Sequence, residues 1–199
     1  MKQKTIRNLL LVGSLAGSLA CGASAFAGGP SPDMLSQPCA GCHGTNGVSM
    51  GPAMPTIAGL SEDYFQESME EFKNGERAST IMGRVAKGYS EEEIEAMAAW
   101  FAEKPFVRAA QKSDAEKAAK GEKLHRKYCE KCHEEGGALD DETGILAGQW
   151  MPYLRYSLHD YLTGTSEAPK KMKKRLDALE KKHGKDGIEA IVQYYGSQQ

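Results

Sequence analysis

Cys39-Ala40-Gly41-Cys42-His43 and Cys129-Glu130-Lys131-Cys132-His133 are the two stretches on which the reading of this chain turns. Each is C-x-x-C-H, the spacing of c-type haem attachment. Two cysteines three apart lie on one side of a helical turn, so their sulfurs can reach the two vinyl groups on one side of a porphyrin. The next residue is rotated about 100° onward, which lets its imidazole swing under the ring and bind iron. The spacing therefore makes Cys39, Cys42, Cys129 and Cys132 covalent anchors for two haem c groups, and His43 and His133 their proximal iron ligands. Three rivals fit less well. A thioredoxin-like dithiol needs a βαβ setting that the sequence lacks. Zinc knuckles rarely place histidine directly after the second cysteine in both halves. Disulfides within each pair would leave both histidines without a role.

The two motifs belong to an internal repeat. Cys39 and Cys129 are 90 positions apart, while Ile57-Ala58-Gly59 recurs as Leu146-Ala147-Gly148 at an offset of 89. Phe72-Lys73-Asn74-Gly75 recurs as Tyr161-Leu162-Thr163-Gly164 at the same offset. Each half also closes on an amphipathic helix. Ile94, Met97, Ala98 and Phe101 fall at i, i+3, i+4 and i+7, as do Ile188, Ile191, Val192 and Tyr195. Ser90 and Glu93 form a capping box at the start of the first. No strand-like alternation competes with these patterns. The expected fold is mainly α, with a short helix carrying each haem motif. A middle helix follows in each half (Ser61 to Lys73, Pro152 to Leu162), and a polar helix over 113–128 runs into the second motif. The expected boundaries are residues 28–104 for the first domain, 105–112 for a linker and 113–199 for the second domain.

A six-coordinate haem needs a ligand on its other face, and a thioether there raises the potential. The repeat selects Met82 and Met172, each 40 residues beyond the second cysteine of its motif. Met50, Met54 and Met69 are the alternatives in the first half. Met151, His125, His159 and His183 are those in the second. Met172, among Lys170, Lys171, Lys173, Lys174 and Arg175, could equally belong to the apolar stripe of Leu176 and Leu179. The basic run itself could dock an acidic partner, although a solvated helix face explains it as well. Pro55, four residues before Gly59, is either a plain turn proline or one whose carbonyl receives the N–H of His43, a contact that orients a ligating imidazole. Gly144 stands in that place in the second half, which therefore needs another acceptor. Tyr64 and Tyr153 match in the repeat and can pack on a haem, bond a propionate, or simply fill core.

Residues 1–27 read as a signal peptide. Lys2, Lys4 and Arg7 precede an apolar run from Leu9 to Ala20, and cleavage falls after Ala27 or Ala25. The run is short and broken by glycines, which disfavours a membrane anchor. Cys21 lies within the segment and is expected to leave with it. The full chain has a formal charge of −2. Cleavage would leave 22 basic against 27 acidic residues, a charge of −5, before four propionates are added. Such a surface is a poor match for nucleic acid. No G-x-G-x-x-G dinucleotide fingerprint is present, so a flavin would sit on another chain.

The chain resembles the diheme cytochrome subunits of flavocytochrome c sulfide dehydrogenases, which are built from tandem class I cytochrome c domains. The resemblance is carried by Cys39 to Thr45, by Ala78 to Ser90 (ASTIMGRVAKGYS), by Tyr128 to Gly137 (YCEKCHEEGG), by Ile145 to Leu154 (ILAGQWMPYL) and by Tyr194 to Gln199. It implies a periplasmic complex in which an FAD-bearing subunit oxidises sulfide and passes electrons to this chain. From here they would leave to a soluble c-type cytochrome. It also implies His43 and Met82 as axial ligands of the first haem, and His133 and Met172 of the second. The chain would not be an enzyme on its own. The alternatives are a free-standing diheme carrier serving a terminal oxidase and, third, a diheme peroxidase.

Overall fold

A computed structural model describes residues 29–139 and 143–199. The expected signal peptide, with Cys21, lies outside the described residues. Eight α-helices are present among those described. In the first half they are α1 (Pro32–Ser36), α2 (Ala40–His43), α3 (Glu62–Asn74), α4 (Met82–Val85) and α5 (Glu91–Ala102). In the second they are α6 (Ala115–Tyr128), α7 (Met151–Thr163) and α8 (Lys170–Ser197). No strand occurs among the described residues, so the mainly α expectation holds.

Local chemistry explains where the helices begin and end. Ser61 caps α3 by accepting the Tyr64 N–H, Glu62 and Asp63 fill the first turn, and Gly75 closes the helix in the left-handed conformation. The capping box forms as expected: Glu93 N–H donates to the Ser90 hydroxyl at 3.2 Å, and Ser90 N–H to the Glu93 carboxylate at 2.9 Å. Asp114 caps α6 by accepting from the N–H groups of Glu116 and Lys117, both at 3.0 Å. Gly184 breaks the long C-terminal helix into two helical runs (φ 62°, ψ −163°).

Each half has its own apolar centre. In the first, Phe65, Met69, Ile94, Met97, Ala98 and Phe101 bury together, with the rings of Phe65 and Phe101 stacked at 5.3 Å. In the second, Leu124, Met151, Leu154, Leu179, Ile191, Val192 and Tyr195 do so. There α6 and α8 approach closely, because Gly121 faces the backbone of Ala190 with no room for a side chain.

The repeat is visible atom for atom. Gly59 N–H donates to Phe101 O (2.9 Å), and Gly148 N–H donates to Tyr195 O (2.8 Å). Both glycines hold positive φ, 72° and 76°. The stretch expected as linker is non-helical and closely held. It passes over Gly59, where an added Cβ would sit 2.9 Å from Phe106 N. Farther on, Ala109 N–H donates to Gly148 O at 2.7 Å and the Gln111 side chain to Gln149 O at 2.8 Å.

The halves are also stitched directly. Gln149, 3% exposed, accepts from Thr56 N–H at 2.9 Å and donates to Thr56 O at 3.0 Å. Trp150 Nε1–H donates to Ser49 O at 3.2 Å, and Ala78 N–H to Ser166 Oγ at 3.1 Å.

One expectation needs correction. The second C-x-x-C-H does not ride on a short helix of its own. α6 ends at Tyr128, Cys129 is its C-cap, and the motif continues in turns closed by Cys132 N–H and His133 N–H, both donating to Cys129 O at 3.0 Å.

Candidate functional site

None of the four described cysteines is paired in a disulfide; Cys42 and Cys132 are exposed, and Cys39 and Cys129 are half-buried. Cys39 borders the first apolar centre and Cys129 the second. Burial pushes the Cys129 thiol up to about 11 and raises that of Cys39. Neither is held as a reactive thiolate, and neither is paired in a disulfide.

His43 closes α2 and is 7% exposed. Its Nδ1 lies 2.8 Å from Pro55 O, the contact anticipated from the sequence. A carbonyl only accepts, so Nδ1 carries the proton and Nε2 presents a lone pair. Burial lowers the basicity of the ring, and the Pro55 contact offsets part of that. His133 differs. Burial, reinforced by His125, lowers its pKa to about 4. Its buried Nδ1 has no hydrogen-bond partner among the described residues. Both imidazoles are therefore neutral at physiological pH, the state in which imidazole ligates a metal.

Met82 is the first residue of α4, half-buried, and packs against the same apolar centre as Cys39. Met172 stands in the first turn of α8, half-buried, and does not join the packing around Cys129. Among the other candidates, Met54 is 37% exposed. Met50 is 86% exposed, while Met69 and Met151 are buried in the two apolar centres. His125 is fully buried with both ring nitrogens engaged: Tyr195 OH lies 2.9 Å from Nδ1, and the Glu130 carboxylate accepts from Nε2–H. His183 faces Tyr128 OH at 3.4 Å, and His159 is exposed.

The sequence reading did not find Gln149, Trp150 or Arg77 as residues of the junction.

Residues 34–103 match the cytochrome c family model. A cytochrome c4 from Thiocapsa roseopersicina is 33% identical over 134 residues, covering 62% of this chain and 68% of that protein. The chain belongs to the diheme class I cytochromes c. A crystal structure of reduced recombinant cytochrome c4 from Pseudomonas stutzeri superposes with a TM-score of 0.73 at 24% identity, over 86% of this chain and all of that one. The cytochrome subunit of sulfide dehydrogenase from Chlorobaculum tepidum is 51% identical over 69 residues, 35% of this chain and 62% of that protein.

This diheme cytochrome c carries two covalently bound haem c groups. The residues present fit them: two pairs of cysteines at attachment spacing, each followed by a neutral imidazole, buried in His43 and half-buried in His133, the first already oriented through Nδ1. Haem supplies one-electron iron chemistry when bound. The chain's own part is to anchor, to orient the imidazole and to keep water away. In the first half Pro55 fixes the ring plane of His43, and the burial of Leu35, Phe65 and Met97 keeps the surroundings dry.

Proposed function

We propose that this diheme cytochrome is the exported electron-transfer subunit of a sulfide dehydrogenase. It accepts electrons from an FAD-bearing subunit and delivers them to a soluble c-type cytochrome. In this reading Cys39 and Cys42 anchor one haem and Cys129 and Cys132 the other. His43 with Met82, and His133 with Met172, are the axial pairs. The observation that carries it is the 51% identity to the Chlorobaculum tepidum sulfide dehydrogenase cytochrome subunit, well above the level at which the cytochrome c4 relative aligns.

Other features agree with it. Tandem units joined by buried hydrogen bonds suit a relay between two partners. Lys2, Lys4 and Arg7 ahead of an apolar run support export to the periplasm. Among the described residues no helix is long and apolar enough to cross a membrane.

The test is purification of the chain from its native cells under mild conditions, followed by absorption spectra before and after sulfide. A copurifying flavin spectrum and sulfide-dependent haem reduction are expected. A flavin-free preparation reduced by thiosulfate and not by sulfide would overturn the donor. Colourless protein with four free thiols would overturn the cysteine assignment.

A further inference from the structure

The two halves fill matching positions beside their haem motifs with opposite chemistry. In the first half, Leu35 stands four residues before Cys39 and Ala40 directly after it. Leu35 and Phe101 are buried in the apolar centre that Cys39 borders. In the second half, His125 stands four residues before Cys129 and Glu130 directly after it. Tyr195 takes the place of Phe101, since each offers its carbonyl to the repeat glycine of its own half. Packing does not require the exchange, because Leu35, Ala40 and Phe101 already serve in the first half. Three titratable groups thus stand beside the second motif where three apolar ones stand beside the first.

His125 is completely buried and Tyr195 is 3% exposed, whereas Glu130 keeps 41% side-chain exposure. The His125 carbonyl accepts from Cys129 N–H at 2.8 Å and from Glu130 N–H at 2.9 Å, which ties the residue to the motif. A carboxylate only accepts, so Nε2 carries a proton and donates it to Glu130. In the neutral ring Nδ1 then presents a lone pair to the Tyr195 hydroxyl, 2.9 Å away. That hydroxyl also bonds Cys129 Sγ, the sulfur assigned above to the haem link.

A second proton on His125 strands nothing. Both ring N–H groups then donate, Nε2 to Glu130 and Nδ1 to the Tyr195 oxygen. The Tyr195 hydrogen turns to Cys129 Sγ, which as a thioether still accepts weakly. A buried polar group without a partner is costly, and in this trio neither protonation state contains one. The other groups facing the ring are Arg126 and His133 along the chain and Tyr194 on α8. Arg126 is itself paired with Glu122. Burial holds His125 below its ordinary 6.5, and the bond to Glu130 offsets part of that.

We propose that His125, with Glu130 as its counter-ion and Tyr195 as its link to the haem sulfur, is a proton site coupled to the second haem. His125 takes one proton from water as that haem takes one electron from its donor, and releases it when the electron leaves. The coupling is reciprocal: the factor by which reduction tightens proton binding is the factor by which protonation favours ferrous iron. The proposal rests on the cysteine anchors assigned above and is independent of which donor or acceptor the cytochrome serves.

The experiment is a spectroscopic redox titration of the purified holoprotein between pH 4.5 and 8. Wild type is compared with the triple variant His125→Leu, Glu130→Ala, Tyr195→Phe, which installs the residues of the first half. One wild-type potential should climb as pH falls below about 6.5, the range in which a histidine gains its charge. The expected climb is a tenfold preference for ferrous iron, or about 59 mV for one electron. The variant should lose that climb, and its other potential should match wild type at every pH. Profiles that coincide in the two proteins, flat or sloping, would overturn the proposal. Failure of the anchors themselves looks different, since the protein would then be colourless. If the variant yields no holoprotein, wild type carrying ring-labelled histidine decides by infrared redox-difference spectroscopy over the same pH range. Conversion of imidazole to imidazolium on reduction supports the site, and the absence of any label-sensitive imidazolium band overturns it.

Discussion

Gln149 does with one side-chain amide what a pair of strands does with its backbone: it gives and takes a hydrogen bond at the N–H and C=O of Thr56, 93 residues away. Both partners are buried, so replacement strands two peptide groups rather than one. Gln149→Leu is expected to cost about 2–6 kcal/mol, at 1–3 kcal/mol for each of the two buried groups left without a partner. The denaturant midpoint of the holoprotein measures it. Residues of this kind define how far the sequence could be read. Cys39, Cys42, Cys129, Cys132, His43 and His133 declare themselves because their chemistry lies in a five-residue spacing. Pro55 was legible because its distance from the repeat glycine is local. Gln149 and Arg77 carry no such signal, since a glutamine or an arginine acquires its meaning from a partner in the other half.

At the scale of elements, the crossing of α6 and α8 is set by Gly121. A Cβ added there would lie 1.9 Å from Ala190 O, a backbone atom that cannot swing aside. Gly121→Ala should force the helices apart and cost about 3 kcal/mol, the upper end of the usual overpacking range. Thermal unfolding followed at the haem band would report the loss. α7 is tied to α8 by Arg155, which donates twice to Glu189, at 2.7 and 2.8 Å. These bonds, chiefly, hold the Glu189 carboxyl below its ordinary 4.5. Its contribution is therefore complete above about pH 4.5 and disappears as pH falls through the lower folded value. With both side chains about a third exposed, Glu189→Gln should cost only about 0.5–1 kcal/mol at pH 7. The gap from wild type should close on acidification below pH 4.5 in paired denaturation curves. Helices α3, α5, α6 and α7 were foreseen within a residue or two, α5 because its capping box and apolar period agree. The second haem motif was misread as helical. Its side-chain spacing is satisfied equally by turns, and periodicity cannot distinguish one helical turn from a chain of hydrogen-bonded turns.

Across the whole molecule, two apolar centres would ordinarily allow two independent unfolding events. The contacts of Thr56 with Gln149, Ser49 with Trp150, Ala78 with Ser166 and Arg77 with Tyr153 join them. The wild type should unfold in one transition, with far-ultraviolet dichroism and haem absorbance superimposed. Gln149→Leu should separate the two curves.

The run from Lys104 to Gln111 roofs the repeat glycine of each half. It therefore serves as a brace, where a two-unit chain usually keeps its hinge. The two iron centres are then soldered at one separation, with no swinging approach to wait for. Electron exchange between them should be indifferent to solvent friction: thickening the medium with glycerol ought to slow the arrival of partners while leaving the internal hop at its original rate.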